Sequence, residues 1–204
     1  MIVTREKLKQ VTGFDYYEGS VIHNRFAYKF FQKETMPNGN IVAFRAPMKV
    51  ETDGMIDSED VMANDFIYSN DAINFIYEVP HLDPFGAVAY QRLFNSQIAN
   101  FLHKFINAPI EMDGDDLICH KEHQQRGILQ QKGKASVSIV HCKNGAALGH
   151  TAVNIQAGEM APSHAFSTNL TDEEAVALMT AVTRMFYELN EDIFLSSIKV
   201  FAIS

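Results

Sequence analysis

Two runs decide how this chain folds: Lys134-Ala135-Ser136-Val137-Ser138-Ile139-Val140-His141-Cys142 and His150-Thr151-Ala152-Val153-Asn154-Ile155. Both alternate polar and apolar side chains with a period of two. That pattern predicts strands that close a core with one face and leave the other free to floor a pocket. His150 and Asn154, four residues apart, fall on the same face of their strand, and so do Ser136 and Ser138 on theirs. Upstream, Met112-Asp113-Gly114-Asp115-Asp116 predicts a turn and Gly127-Ile128-Leu129-Gln130-Gln131 a further strand.

Working outward, residues 1–3 and 41–46 read as strands, and residues 20–31 as a short helix with Ile22, Phe26 and Phe30 on one side. Pro47 restricts the residue before it to extended geometry, so Arg45 is expected at a strand end, where sites are often built. Residues 73–79 form another strand, stopped by Pro80. A long helix runs from about residue 84 to 107, with Tyr90, Phe94, Ile98, Phe101, Leu102 and Phe105 spaced for one buried stripe and Gln91 and Arg92 at its edge. The last helix opens at Thr171-Asp172-Glu173-Glu174, which has capping-box spacing, and continues through Val176, Met179, Val182 and Phe186 to residue 190 or beyond. Residues 198–203 read as a closing strand. Strands and helices alternate irregularly, with two long helices available to cover one sheet, which is an α+β pattern.

The chain has 204 residues, 47% of them hydrophobic, enough for one domain with one sizeable core. A formal net charge of −8 opposes duplex nucleic acid as a partner, because binding to phosphate backbones needs clustered cations. Two cysteines and no apolar N-terminal segment suggest a cytoplasmic protein with no disulfide framework and no membrane partner. Between Glu51 and Asp65 lie six acidic residues, including Glu59 and Asp60; such a loop is either a solvated face or a clamp for a donor-rich ligand. Cys119, His120 and His123, and likewise His141 and Cys142, lack the paired spacing of a structural zinc site, so no metal is expected. His141 and Cys142 are adjacent on a strand and point to opposite faces, which removes a His-activated thiol.

Ser58-Glu59-Asp60, Gln91-Arg92-Leu93, Gly114-Asp115-Asp116, Ser136-Val137-Ser138-Ile139 and the run from His150 to Ile155 occur in the order and approximate spacing of the mostly archaeal family called domain of unknown function 366. The resemblance covers roughly residues 40–200. This chain has Asn74 where archaeal members tend to show His. More distantly, residues 127–130 followed by residues 149–155 are similar to the paired core strands of biotin and lipoate protein ligases, which implies a class II synthetase-like antiparallel sheet flanked by helices. Homodimers are common among such folds, and one is expected here. Those ligases wrap the adenylate phosphate with an Arg- and Gly-rich loop. Gly114-Asp115-Asp116 is acidic where that loop is basic, and a negative loop is a poor phosphate cradle.

Phage-borne members of the family resemble proteins that accompany synthesis of 7-deazaguanine bases. That association implies a cofactor-independent decarboxylase acting on 7-carboxy-7-deazaguanine. A guanine-like edge offers N–H donors that carboxylates accept, and Glu59, Asp60, Asp115 and Asp116 are the candidates. The ligand's own carboxylate needs a cation, for which Arg45, Arg92, Lys134 and His150 are available. Decarboxylation at an electron-rich pyrrole carbon requires protonation of that carbon, so an acid with a raised pKa is expected, either Glu59 or His150. Ser136 and Ser138 would orient the ring, with Asn154 beside His150. Each has a structural rival: Arg92 as half of an ion pair, the serines as the wet side of an edge strand, His150 and Asn154 as a buried pair. Two rival functions are an ATP-dependent ligase of a small carboxylic acid and a non-catalytic binding module whose acidic loop docks a basic protein.

Overall fold

A four-stranded sheet, three of its strands largely buried on both faces and the fourth half-buried, divides the molecule into two apolar layers. The computed structural model describes residues 1–33, 37–52, 55, 62 and 66–199. Its main sheet takes the order β1-β2-β9-β8, antiparallel throughout, from β1 (Asn40–Val50), β2 (Ile67–Pro80), β8 (Ser136–Lys143) and β9 (Ala146–Gln156). One face packs Ile41, Ala43, Ile73, Phe75, Tyr77, Val153 and Ile155 under two long helices, α3 (Pro84–Ile106) and α4 (Asp172–Ile198). The other packs Val42, Phe44, Met48, Ala72, Ile76 and Ala152 against α1 (Arg5–Thr12), α2 (Phe26–Phe31) and the chain around Tyr17 and Val21. Because both faces are covered, the period of two sorts side chains between two cores, not between core and water.

Both long helices begin where their caps dictate. Asp83 accepts a hydrogen bond from Gly86 N at 2.6 Å ahead of Pro84, and Thr171 and Glu174 form the reciprocal capping box. Helix α3 buries Ala87, Tyr90, Phe94, Ile98 and Leu102 as one stripe and stops at Asn107, whose φ is +48°. Helix α4 buries Ala175, Leu178, Met179, Val182 and Phe186. Val176, expected in that stripe, is exposed because it falls one residue off the i, i+3, i+4 rows. The helix runs on to Ile198, so the closing strand does not begin there, and residues 200–203 lie outside the described residues.

Several expectations about strands are corrected. Strand β1 passes through Pro47 to Val50, with the register shifting between Ala46 and Met48. A bulge tolerates a residue without an N–H, and Pro47 O there accepts from Tyr17 N at 2.8 Å. Arg45 therefore sits in mid-strand, not at a strand end. Of residues 20–31 only Phe26–Phe31 is helical, and α1, with Leu8 as its buried residue, was not foreseen. The remaining strands are β3 (Ile110–Asp113), β4 (Asp116–Cys119), β5 (His123–Gln125), β6 (Ile128–Gln130) and β7 (Gly133–Lys134). They form a three-stranded sheet β3-β4-β7 and a separate β5-β6 ribbon. The partners of β9 are β2 and β8, so residues 127–130 do not supply a core strand: Ile128 and Leu129 are exposed on the ribbon. No described helix is long and apolar enough to cross a membrane.

Candidate functional site

Strand β8 ends the main sheet, and beside it, on the face away from α3 and α4, lies a cavity of about 370 Å3. That volume is within the roughly 300–1,000 Å3 typical of small-molecule sites. Its walls come from Val137, Ile139 and His141 of β8, His150 and Asn154 of β9, Tyr17, Tyr68 and the segment from Pro162 to Ala165, with Asp115, Asp116, Lys134 and Ser138 at the sheet edge. Six residues expected to bind or act on a ligand thus meet here: Asp115, Asp116, Lys134, Ser138, His150 and Asn154. Arg45, Arg92 and Ser136 do not line it. Glu59 and Asp60 lie outside the described residues.

His150 is built in tightly. Its ring stacks on Tyr17 with centroids 3.9 Å apart, and its Nε2 lies 3.0 Å from Asn74 Oδ1. Asn74 donates its amide N–H groups to the carbonyls of Ala46 at 3.3 Å and Ala72 at 3.2 Å, which turns Oδ1 toward the imidazole. Nε2 is therefore the protonated nitrogen and Nδ1 an acceptor. Burial pushes the pKa of His150 down to about 3, because the charged ring would lose its hydration without gaining a counter-ion. The imidazolium with a raised pKa expected at this position is thus replaced by a neutral ring whose only proton is committed to Asn74.

Lys134 and Asp116 hold each other. The ammonium lies 2.8 Å from Asp116 Oδ2, and each side chain is about one quarter exposed, 29% and 26%. Ile118 of β4 pairs with Lys134 of β7, which leaves Asp116, two residues along, on the same face and diagonal to the lysine. Burial raises the pKa of Asp116, Lys134 opposes that, and the anions Asp115 and Asp113 add to the rise. Asn154 donates to Lys134 O at 3.4 Å, while its own Oδ1 is buried without a partner. His141 Nδ1 is likewise buried and unpartnered, and burial lowers that ring's pKa. Unpaired buried polar atoms are uncommon in folded proteins, and each calls for a partner such as a water, an ion or a ligand.

Behind the edge strand a polar network fixes Asp115. Gln91 Nε2 donates to Asp115 Oδ2 at 3.1 Å and to Ser138 Oγ at 2.8 Å. Thr151 gives its only proton to Asn95 Oδ1 at 2.9 Å, so Ser138 donates to Thr151, 2.9 Å away. Asn95 returns a hydrogen bond to Asp115 O at 2.8 Å. Sequence reading placed Gln91 at a helix edge but missed Asn95 and Thr151. Their polar character on otherwise apolar stripes was the available signal. Arg92 donates to Gln91 Oε1 at 2.6 Å and stands 3.8 Å from Asp115, so it props the network and does not face the cavity. Ser136 is fully buried and its Oγ accepts from Leu117 N at 2.9 Å, joining two sheets.

Arg45, expected to hold a ligand's acid group, is occupied. Its Nε and Nη2 clasp Asp71 at 2.6–3.0 Å and Nη1 reaches Asp172 at 2.5 Å, tying β1 and β2 to the start of α4. Arg45→Met is expected to lower the melting temperature by about 2–4 °C, a loss of about 1 kcal/mol for a partly exposed pair, and to leave ligand binding unchanged. Loss of binding with an unchanged melt would return Arg45 to the site.

The antiparallel sheet under two long helices defines a class: this is the fold of the lipoate protein ligases. The chain is similar to a bi-partite lipoate protein ligase from Thermoplasma acidophilum, at a TM-score of 0.56 and 10% identity over 85% of this chain and 81% of that one. A protein of unknown function from Pyrococcus horikoshi is similar over 93% of this chain and 94% of its own, with a TM-score of 0.77 and 22% identity. The chain belongs to the family described as domain of unknown function DUF366, whose model matches residues 7–201. No curated protein matches it.

Proposed function

We propose that the protein binds 7-carboxy-7-deazaguanine in the cavity beside β8 and removes its carboxyl group as CO2 without ATP. The observation that carries this reading is that one cavity is lined by a cation, Lys134, and by two acceptor-bearing side chains of β9, His150 and Asn154. A flat base with N–H donors and a carboxylate complements that set. The Tyr17–His150 stack gives an aromatic wall suited to a ring. In the reaction a proton adds to the ring carbon that bears the carboxylate. The C–C bond then breaks, its electron pair returns to the ring, and CO2 departs. His150 binds in this scheme and does not donate, since its one proton serves Asn74.

The test is incubation of the purified protein with 7-carboxy-7-deazaguanine, with and without ATP and magnesium, followed by mass spectrometry. Loss of CO2 in both tubes is the expected result. Consumption only in the tube with ATP would replace the decarboxylase by a ligase that kept its fold's chemistry. An untouched substrate in both tubes would leave a binding module.

A further inference from the structure

We propose that Asp116 is the catalytic acid and is loaded by an exchange of partners. The substrate carboxylate takes Lys134 from Asp116, Asp116 takes up a proton from solvent, and that proton goes to the ring carbon bearing the carboxylate. This inference rests on the decarboxylase reading above and names the proton source that His150 does not supply.

The geometry carries it. Both members of the pair line the cavity, and Lys134 is its cationic side chain nearest Asp116. The lysine reaches Asp116 from a diagonal position on the neighbouring strand, so the ammonium can turn to a ligand while both backbones stay fixed. Asp116 begins β4 directly after the hairpin turn, opposite Asp113 in the register, and its short side chain has less reach than the lysine's. Once Lys134 turns away, every remaining influence favours the protonated acid: burial, Asp115 next to it, and Asp113 across the turn. The incoming carboxylate adds one more negative charge. Across the cavity the other titratable groups are His141, His150 and His164 with Tyr17 and Tyr68. His150 is neutral there, and so is Tyr17, whose phenol is raised by burial.

The step balances. Asp116 gives its proton to the ring carbon and becomes a carboxylate. The carbon–carboxyl bond breaks and returns its electrons to the ring, CO2 leaves, and Lys134 returns to Asp116. Each turnover consumes one solvent proton and needs no oxidant or co-reactant.

Four proteins decide the matter: wild type, Asp116→Asn, Asp116→Glu and Lys134→Met, each assayed for CO2 release and for binding of 7-carboxy-7-deazaguanine by calorimetry. Asp116→Asn keeps the shape and loses the proton. It is expected to bind at least as tightly as wild type, since Lys134 has no competing carboxylate, while turnover falls by about 10²–10⁴-fold. Lys134→Met is expected to weaken binding by roughly 10–100-fold. Asp116→Glu, which keeps a carboxyl group, should recover part of the lost turnover. A purely structural Asp116 would lose binding together with turnover, and that outcome overturns the inference. So does an Asp116→Asn protein within tenfold of wild type. A wild-type protein that binds the compound but releases no CO2 overturns the decarboxylase reading itself, and with it this step.

Discussion

Gly149→Ala is expected to be among the most destabilising single-methyl changes in the protein. A Cβ at this position on β9 would overlap the ring and hydroxyl of Tyr77. Tyr77 is fully buried, and its ring is held by Phe94, Tyr90 and Phe186 at centroid distances of 4.8–6.2 Å. The ring cannot step aside without driving those three off their own positions, and cores resist such overpacking. The cost is roughly 3 kcal/mol, which lowers the melting temperature by about 6–12 °C. A double variant that adds Tyr77→Phe removes the hydroxyl, which is unpartnered in any case, and should recover part of the loss. Thermal melts of the three proteins check this. A Gly149→Ala melt within a degree or two of wild type would mean that the strand shifts freely at this point.

The second large effect is acid lability centred on His150. In the folded protein its pKa is about 3, and in an unfolded chain about 6.5. Below pH 6.5 the unfolded chain takes up a proton that the folded chain refuses, so stability falls as pH falls from about 6.5 to about 3. The slope is about 1.4 kcal/mol per pH unit. Carboxylates titrate in the same range, so the contribution is isolated by comparison with His150→Gln, whose amide can still donate to Asn74 Oδ1 and carries no titrating proton. Urea unfolding at pH 7 and pH 4 should show wild type losing about 3 kcal/mol more than the variant. Parallel losses in the two proteins would contradict a neutral buried ring, as would an NMR titration placing His150 near pH 6.5.

The helices were legible because their signals are local: Asp83 before Pro84, the Thr171–Glu174 box, and apolar residues recurring at three and four. Strands β8 and β9 were legible from alternation. What alternation does not tell is which face a residue meets. Ser136 and Ser138 share a face as expected, yet that face turns toward α3 and β4: Ser136 is wholly buried there, and Ser138 reaches only the edge of the cavity. Arg45 was misplaced because Pro47 ends strands more often than it enters a bulge. The site's decisive pairings are non-local. His150 and Asn74 are 76 residues apart in the chain, and Lys134 meets Asp116 only because a hairpin and a short third strand bring them together. Sequence could nominate Lys134 and Asp116 for opposite ends of a ligand, but not show that each first occupies the other.

The two-layered sheet has an evolutionary consequence. The side chains that anchor α3 and α4 and those that line the cavity alternate along the same strands, so neighbouring codons on β8 and β9 answer to different selective demands. Every second position can drift toward a new ligand while the intervening ones hold the scaffold. One sheet architecture can thereby serve relatives with unlike substrates, and the face opposite the long helices is where such divergence is to be sought.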